Sequence, residues 1–494
     1  MRHSPQSSVV SSISPSESKV RCSNPHNNLA DRAGWTRAGA IEMVYAGNQF
    51  CLGAPLREPS SPNFFTWQRL PVESVSPSAI VLSPTALAHI PLVPKQAKLG
   101  LPCWVENVFE LLGDNATGSP GDYYHDAAAQ KLHYVSPVAP TGAVLPQTTA
   151  LVTLTNTSGV SFANVTFTDT TWDFGDDGYT QIQAGCVNRK DRLAAAPPDW
   201  DPGTACLPTP AAVEARGSRE ISFEECVFRN LGTTGVHFWG GSHDSSVTRS
   251  LFVDLSASAV LFGSVDTYNV SNPEHQDAGL TVADCTIHNV GHEYPGNCGI
   301  TAFYSRGLRL MHNEIFDIPY TGISIGWGWS FAQQKAWPRM PWDSDNEVVG
   351  NDIHHVMTRL GDGGMIYTLG PQGNRPFWRA SGIGRYYPAE PEPPLRILPM
   401  SQILRNYLHD NGPPSDRGGQ KAKALYSDEG STNWNISGNV VENNGGPNFV
   451  WMSGCRDTAI NNSWSSNFYS CKSVSGKVLG PHGRTSECCD SECS

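Results

Sequence analysis

Two aspartates set in glycine-rich phrases are the residues of this 494-residue chain best suited to acid–base chemistry. Asp362 stands in LGDGGMIYTLG, and Asp428 stands in YSDEGS with Glu429 directly after it. Cleavage of a glycosidic bond uses two carboxyl groups. They lie roughly 5–5.5 Å apart when configuration is retained and about 6.5–9.5 Å apart when it is inverted. Glycine beside an acid lets a ligand or another backbone approach closely. The competing reading is structural: Asp362 caps a turn through its own backbone, and Glu429 is a solvated turn residue.

Aromatic residues supply the second half of such a site, because the C–H faces of a sugar stack on rings. His237, Trp239 and Tyr426 fall on or near short alternating strands, and Trp327 and Trp329 share the phrase GISIGWGWS. The two tryptophans are too close together, and too flanked by glycine, for simple core, so they read as a loop platform for ligand. His288, His354 and His409 recur at one position of a repeated phrase and read as a stacked polar ladder. Arg375, Arg379, Arg385, Tyr386 and Tyr387 lie in a Pro-rich insertion and are placed to close over a substrate. No metal or other cofactor is expected. Cys488, Cys489 and Cys493 have no Cys-x-x-Cys pair and no histidine at zinc spacing, and no compact calcium loop is visible.

The elements that position these residues come from a repeat. The phrases VSFANVTFTDT, ISFEECVFRNL, SSVTRSLFVDL, LTVADCTIHNV, LRLMHNEIFDI, NEVVGNDIHHV, SQILRNYLHDN and WNISGNVVENN align on Val165, Cys226, Ser250, Cys285, Asn313, Asn351, Asn406 and Asn439. A second short strand follows in most units, as at GVHF from Gly235, GISI from Gly322, GMIY from Gly364 and ALYS from Ala424. Period-2 strands joined by Asn, Asp and Gly wind into a parallel β-helix, each coil burying its apolar face against the next. The Leu-x-x-Leu-x-Leu frame of a leucine-rich repeat is absent. Asn at the fixed turn is expected to take a left-handed backbone and to stack on the Asn of the next coil. With Val236, Phe238, Ile323, Ile325 and Leu425 pointing inward, His237, Thr301, Ser324, Ile366 and Tyr426 point outward. Trp239, Phe303, Gly326, Thr368 and Asp428 follow one pleat on. In this register Asp428 faces Thr368 and lies ~20 Å along the strand from Asp362. The acids meet only if the chain turns sharply near Gly361–Gly364 or after Asp428.

Composition narrows the function. A formal net charge of −12 argues against a nucleic-acid partner. No apolar run approaches the ~20 residues of a membrane span. With 47 Gly and 37 Pro the chain is rich in turns and loops. Residues 1–30 are expected to be disordered and 31–150 to form a β-rich cap region. Residues 151–465 are expected to form the solenoid, with insertions at 186–217 and 371–399, and 466–494 an irregular tail. Cys186 and Cys206 flank the first insertion and are placed to staple it, whereas Cys226 and Cys285 read as buried thiols. Sequons at Asn115, Asn156, Asn164, Asn269, Asn435 and Asn461 point to a secreted monomer acting on a poly- or oligosaccharide, although no secretory leader is visible.

The segments PGDYYHD…KLHYVSP, GISIGWGWS, HHVMTRLGDGGMIYTLGPQ, ILRNYLHDN and ALYSDEGSTNWNISGNVVENN resemble the right-handed parallel β-helix proteins allied to glycoside hydrolase family 141. The resemblance covers roughly residues 100–465. It implies an all-β right-handed parallel β-helix and hydrolysis of glycosidic bonds by two acids, matched here by Asp362 and Asp428. The Pro-rich insertion between them and the Cys-containing tail depart from the family's pattern. Two rivals remain at this stage: a polysaccharide lyase on the same scaffold, which needs a basic residue for proton abstraction, and a non-catalytic carbohydrate-binding surface protein.

Overall fold

A computed structural model describes residues 9–14, 19–23, 42–47, 65–76, 79–85, 103–109, 120–126, 128–172, 178–188, 206–265, 272–328, 343–370, 398–411, 423–428, 431–444, 450–452, 462–469, 477–479 and 485–487, with a few single positions besides. The chain divides into two compact units. One comprises residues 1–145, 173–183 and 187–194. Its central strand Thr66–Ser76 pairs antiparallel with Glu42–Gly47, Ala79–Leu82 and Tyr179–Gln183. Trp67, Leu70, Val72 and Tyr179 are buried in this sheet, and Arg69 pairs with Glu106 at 2.7 Å. Tyr123–Asp126 and Lys131–Tyr134 form the hairpin expected from PGDYYHD and KLHYVSP. Within residues 1–30, where disorder is expected, Val9–Ser14 and Lys19–Ser23 pair antiparallel. Val9, Val10, Ile13 and Val20 give that pair its β-branched residues.

The second unit is a right-handed parallel β-helix. Among the described residues, three parallel sheets of nine strands each run its length. The first sheet runs from Ser161–Ala163 to Ser463–Ser465, the second from Thr166–Thr170 to Phe468–Tyr469, and the third from Val152–Thr155 to Val450–Met452. Its core is rows of like residues stacked coil on coil. Phe167, Phe228 and Phe252 stack at 4.8 and 4.5 Å between ring centroids. In the third sheet Val236, Val260, Ile300, Ile323, Ile366 and Leu425 form one buried row. Each such side chain contributes roughly 1.5–3 kcal/mol by leaving water.

The corner between the first two sheets carries the amide ladder. The strand register places Val165, Cys226, Ser250, Cys285, Asn313, Asn351, Asn406 and Asn439 on successive coils, as the repeat predicts. Asn313 donates its Nδ2 to Asn351 Oδ1 at 3.0 Å, Asn351 to Asn406 at 2.9 Å, and Asn406 to Asn439 at 2.9 Å. The left-handed residue, however, is the one before each rung: Glu225, Arg249, Asp284, His312 and Arg405 have φ of 52°, 47°, 56°, 55° and 53°. The bend is made by the preceding backbone, and that frees the asparagine side chain to point inward. Cys226 and Cys285 are buried free thiols on this ladder, and Cys186 is bonded to Cys206 across the first insertion.

Candidate active site

The third sheet's outer face gathers the acids. The observed pairing there is Ile323 with Ile366 and Ile366 with Leu425. This corrects the sequence register by one residue in a single coil: Ile366 is inward at 1% exposure, and Tyr367 takes the outward place beside Ser324 and Tyr426. Gly363 precedes that strand and Gly364 is its first residue, and the sequence does not say which of the two begins it. A one-residue slip exchanges the two faces. Asp428 therefore lies opposite Leu369, not Thr368. Thr368 points inward, where its hydroxyl donates to Ser427 Oγ at 3.2 Å and accepts from Ser431 at 2.7 Å.

Tyr367 supplies the connection the sequence reading lacked. Its hydroxyl donates to Asp428 Oδ2 at 2.7 Å. Its ring meets that of Tyr426 edge-on at 5.0 Å, and Tyr426 donates its hydroxyl to Asp362 Oδ1 at 3.2 Å. Lys423 Nζ stands 3.5 Å from the same Asp362 oxygen and 3.4 Å from the Tyr426 ring centroid. Asp362 itself has φ of 54°, and its carbonyl accepts from the Tyr320 hydroxyl at 2.9 Å. Gly363 is required beside it, since a Cβ there would meet Thr321 Oγ1 at 2.5 Å. Asp362 thus turns the chain while its carboxylate, 23% exposed, faces a phenol and an ammonium on the next coil. Asp428 is more enclosed, at 6% exposure.

The electrostatics couple the members. Burial, reinforced by the Asp428 charge, pushes the Tyr367 phenol well above its ordinary range, so it stays a donor. The charges of Tyr320, Tyr426 and Asp362 act on it in the same direction. Burial lowers the Lys423 ammonium below the ordinary lysine range, while Asp362 and Asp428 both work to keep it charged. One tyrosine and one lysine therefore feel both aspartates. The sharp turn expected near Gly361–Gly364 is made at Asp362, whose φ is 54°.

The other predicted site residues are spread along the sheet. His237 is buried at 4% exposure, holds Gly263 O at 2.8 Å through Nε2, and stacks on Trp239 at 5.7 Å. Burial lowers its imidazole to about 4, against the opposing hydrogen bond to Gly263. Trp239 is half-buried beneath the Arg216 guanidinium at 4.7 Å. Trp327, expected on a loop platform, is 1% exposed and packs edge-on against Phe303 at 5.2 Å, with its carbonyl held by the Tyr304 hydroxyl. Glu429, Trp329, most of the 371–399 insertion and the cysteines of the tail lie outside the described residues. Lys423 and Tyr367 escaped the sequence reading. A lysine at the head of a strand whose following residues are buried was the one available signal for the first.

On the second sheet, His288, Phe316, His354 and His409 stack face to face at 4.7, 4.9 and 4.8 Å, a ladder in which Phe316 takes one rung. Asp352, His354 and His409 bring their ligand atoms within 4.8 Å of one another. His409, however, already pairs Nε2 with Asp352 Oδ1 at 2.9 Å and Nδ1 with Asp410 Oδ2 at 2.7 Å. Both ring nitrogens of His409 thus lie within hydrogen-bonding distance of carboxylate oxygens.

No protein-family model matches the chain, and no curated protein matches it. A solved structure named "Glycoside hydrolase" superposes with a TM-score of 0.68, covering 94% of this chain and 74% of that one at 21% identity. A second solved structure, PfbA, a surface adhesin of Streptococcus pneumoniae, gives a TM-score of 0.28 at 8% identity, over 68% of this chain and 75% of that one. The first likeness, at 21% identity, speaks to fold and not to chemistry: the chain shares the architecture of a solved glycoside hydrolase.

Proposed function

We propose that this protein is a carbohydrate-active enzyme that hydrolyses glycosidic bonds on the outer face of the third sheet. The observation carrying the proposal is the single network that joins Asp428, Tyr367, Tyr426, Asp362 and Lys423 across adjacent coils. Asp362, the more open carboxylate and the one facing an ammonium and a phenol, is the nucleophile or the base that activates water. Asp428, the more enclosed of the two carboxyls, is the group that protonates the leaving oxygen. Tyr426 and Lys423 are positioning residues: they hold the Asp362 carboxylate and supply positive potential where charge shifts during cleavage. Trp239, half-buried on the same sheet, offers a partly open ring to a sugar face.

A screen of polysaccharides and oligosaccharides for reducing-sugar release tests this directly. Wild type releases sugar from at least one glycan, and Asp362→Asn and Asp428→Asn both lose that release. Equal activity in either variant removes that residue from the mechanism. Burial makes Lys423 lose its proton at lower pH than an ordinary lysine, so activity falls on the alkaline side and Lys423→Arg extends it to higher pH.

A second reading draws on one specific observation. A buried lysine with a lowered pKa is a suitable base for taking the proton beside a uronate carboxyl, which is the step of a polysaccharide lyase. The product decides between them: a lyase leaves an unsaturated uronate that absorbs in the ultraviolet, and a hydrolase does not. A glycan that binds but is never cleaved favours the non-catalytic reading. Secretion with glycans at the exposed sequons Asn156 and Asn164 fits an extracellular substrate, and mass spectrometry of protein from a glycosylating host tests it.

A further inference from the structure

The outer face of the second sheet holds a histidine cluster that the proposed chemistry does not use. Asp352 and His354 stand two residues apart on one strand, so both side chains leave the same face. The strand Tyr407–His409 of the next coil pairs in register with it, which sets His409 beside His354. All three side chains are partly open to solvent, so a small ligand has a way in.

The two rings share one orientation. His409 Nδ1 faces Asp410 Oδ2 at 2.7 Å, and His354 Nδ1 faces His355 Nδ1 at 2.8 Å. Each ring turns Nδ1 toward the residue that follows it. Stacking at 4.8 Å then puts both Nε2 atoms on the other side, toward Asp352. His409 Nε2 lies 2.9 Å from Asp352 Oδ1, and the ligand atoms of Asp352, His354 and His409 all fall within 4.8 Å of one another.

Stacking alone does not call for this arrangement. Phe316 fills one rung of the same ladder with no nitrogen, at 4.7 and 4.9 Å from its neighbours. What distinguishes the His409 end is a carboxylate at each ring nitrogen. A carboxylate on Nδ1 fixes the tautomer and the ring angle and leaves Nε2 as the donor, which is how metal-binding imidazoles are held.

We propose that Asp352 Oδ1, His354 Nε2 and His409 Nε2 bind one zinc ion, which takes the place of the proton shared by His409 and Asp352. Two imidazoles and one carboxylate suit zinc, whereas calcium and magnesium take oxygen ligands. The spacing fits one ion. Three atoms so placed have a common centre no more than about 2.5 Å from each, against about 2.1 Å for a zinc–nitrogen bond. Closing that gap moves each side chain by a few tenths of an ångström and tilts the rings, which are already 26° from parallel. Three protein ligands leave the fourth tetrahedral position to water. The ion links two adjacent coils, those that carry Asp362 and Asp428 on the third sheet, and closes the chain across the 371–399 insertion. Its assignment does not depend on the role of either aspartate.

The test strips the whole chain with a chelator, titrates zinc by calorimetry, and reads thermal melting with zinc, calcium or magnesium. Wild type binds one zinc that His354→Phe does not, and zinc raises its melting temperature while calcium and magnesium do not. His354→Phe keeps the stack, as Phe316 does, and melts like wild type in the absence of metal. Asp410→Asn, a positioning change at Nδ1, weakens zinc about 10- to 100-fold with the stoichiometry kept. His288→Phe, on the ladder but away from the cluster, binds as wild type does. Cobalt in place of zinc separates this site from the cysteines of the tail: the spectrum of wild type minus His354→Phe carries no thiolate charge-transfer band. Wild type that binds no more zinc than His354→Phe, or a thiolate band in that difference, overturns the site. If His354→Phe does not fold, Asp352→Asn takes its place with the same loss expected.

Discussion

The amide ladder and the outer face of the third sheet are built by the same coil-on-coil stacking and end in opposite chemistry. On the ladder, Asn313, Asn351, Asn406 and Asn439 each offer one acceptor and two donors, so each side chain serves both the next amide and a backbone carbonyl. On the outer face the stacked groups differ. Carboxylates meet a lysine that only donates and two phenols, and Lys423 and Tyr367 are pulled away from their ordinary titration behaviour. Self-complementary stacks hold the fold; stacks of unlike groups perturb protonation, and perturbed protonation is what chemistry uses.

The largest expected contrast is in activity. Asp362→Asn or Asp428→Asn lowers glycan cleavage on the order of 10³-fold while melting stays close to wild type; a comparable loss from a ladder substitution that leaves the fold intact would erase the distinction. Next is the ladder itself. Asn351→Asp removes the donor to Leu310 O and Asn406 Oδ1 and buries a charge, costing about 4 kcal/mol in denaturant unfolding, with cleavage per folded molecule unchanged. A loss below about 1 kcal/mol would mean the amides are not what holds the corner.

The third contrast is in pH. His237 is held neutral in the fold at about 4, against 6.5 as a free imidazole. Between those values the unfolded chain takes up the proton first, so stability falls as pH drops through that window. The loss is on the order of 3 kcal/mol, and His237→Gln flattens that part of the curve. The ladder amides do not titrate, so Asn351→Ala leaves this part of the profile in place. The smallest effect belongs to Tyr367→Phe. It removes one hydrogen bond to Asp428 and lowers kcat/KM about tenfold, and a shift of the acid limb of the pH–rate profile marks it as more than packing.

Much of the scaffold was legible because the repeat writes the fold many times over. Eight phrases fixed the ladder positions from Val165 to Asn439, and each matches the strand pairing. The site was legible only in part. Asp362, Asp428 and Tyr426 stood out by composition and glycine context. Tyr367 was lost to a one-residue slip, because Gly363 and Gly364 each make an acceptable strand start and period-2 patterns tolerate either. Trp327 read as a surface ring because its neighbours are glycines, yet the one before it lets the backbone pack close against the next coil: a Cβ on Gly326 would collide with the Leu369 carbonyl oxygen.

What the amino-acid order settled alone is periodicity: where strands recur, which side chains alternate, and that an amide returns once per coil, since these follow from local sterics and from burial of a repeated apolar face. Only the tertiary structure decided which unlike groups meet. Asp362 reaches Tyr426 and Lys423 on the neighbouring coil, and Asp277 lies across from Ser305, through coil lengths that vary with each loop. Loop length is free to change without cost to the rungs, so it leaves no periodic trace by which a sequence could foretell those neighbours.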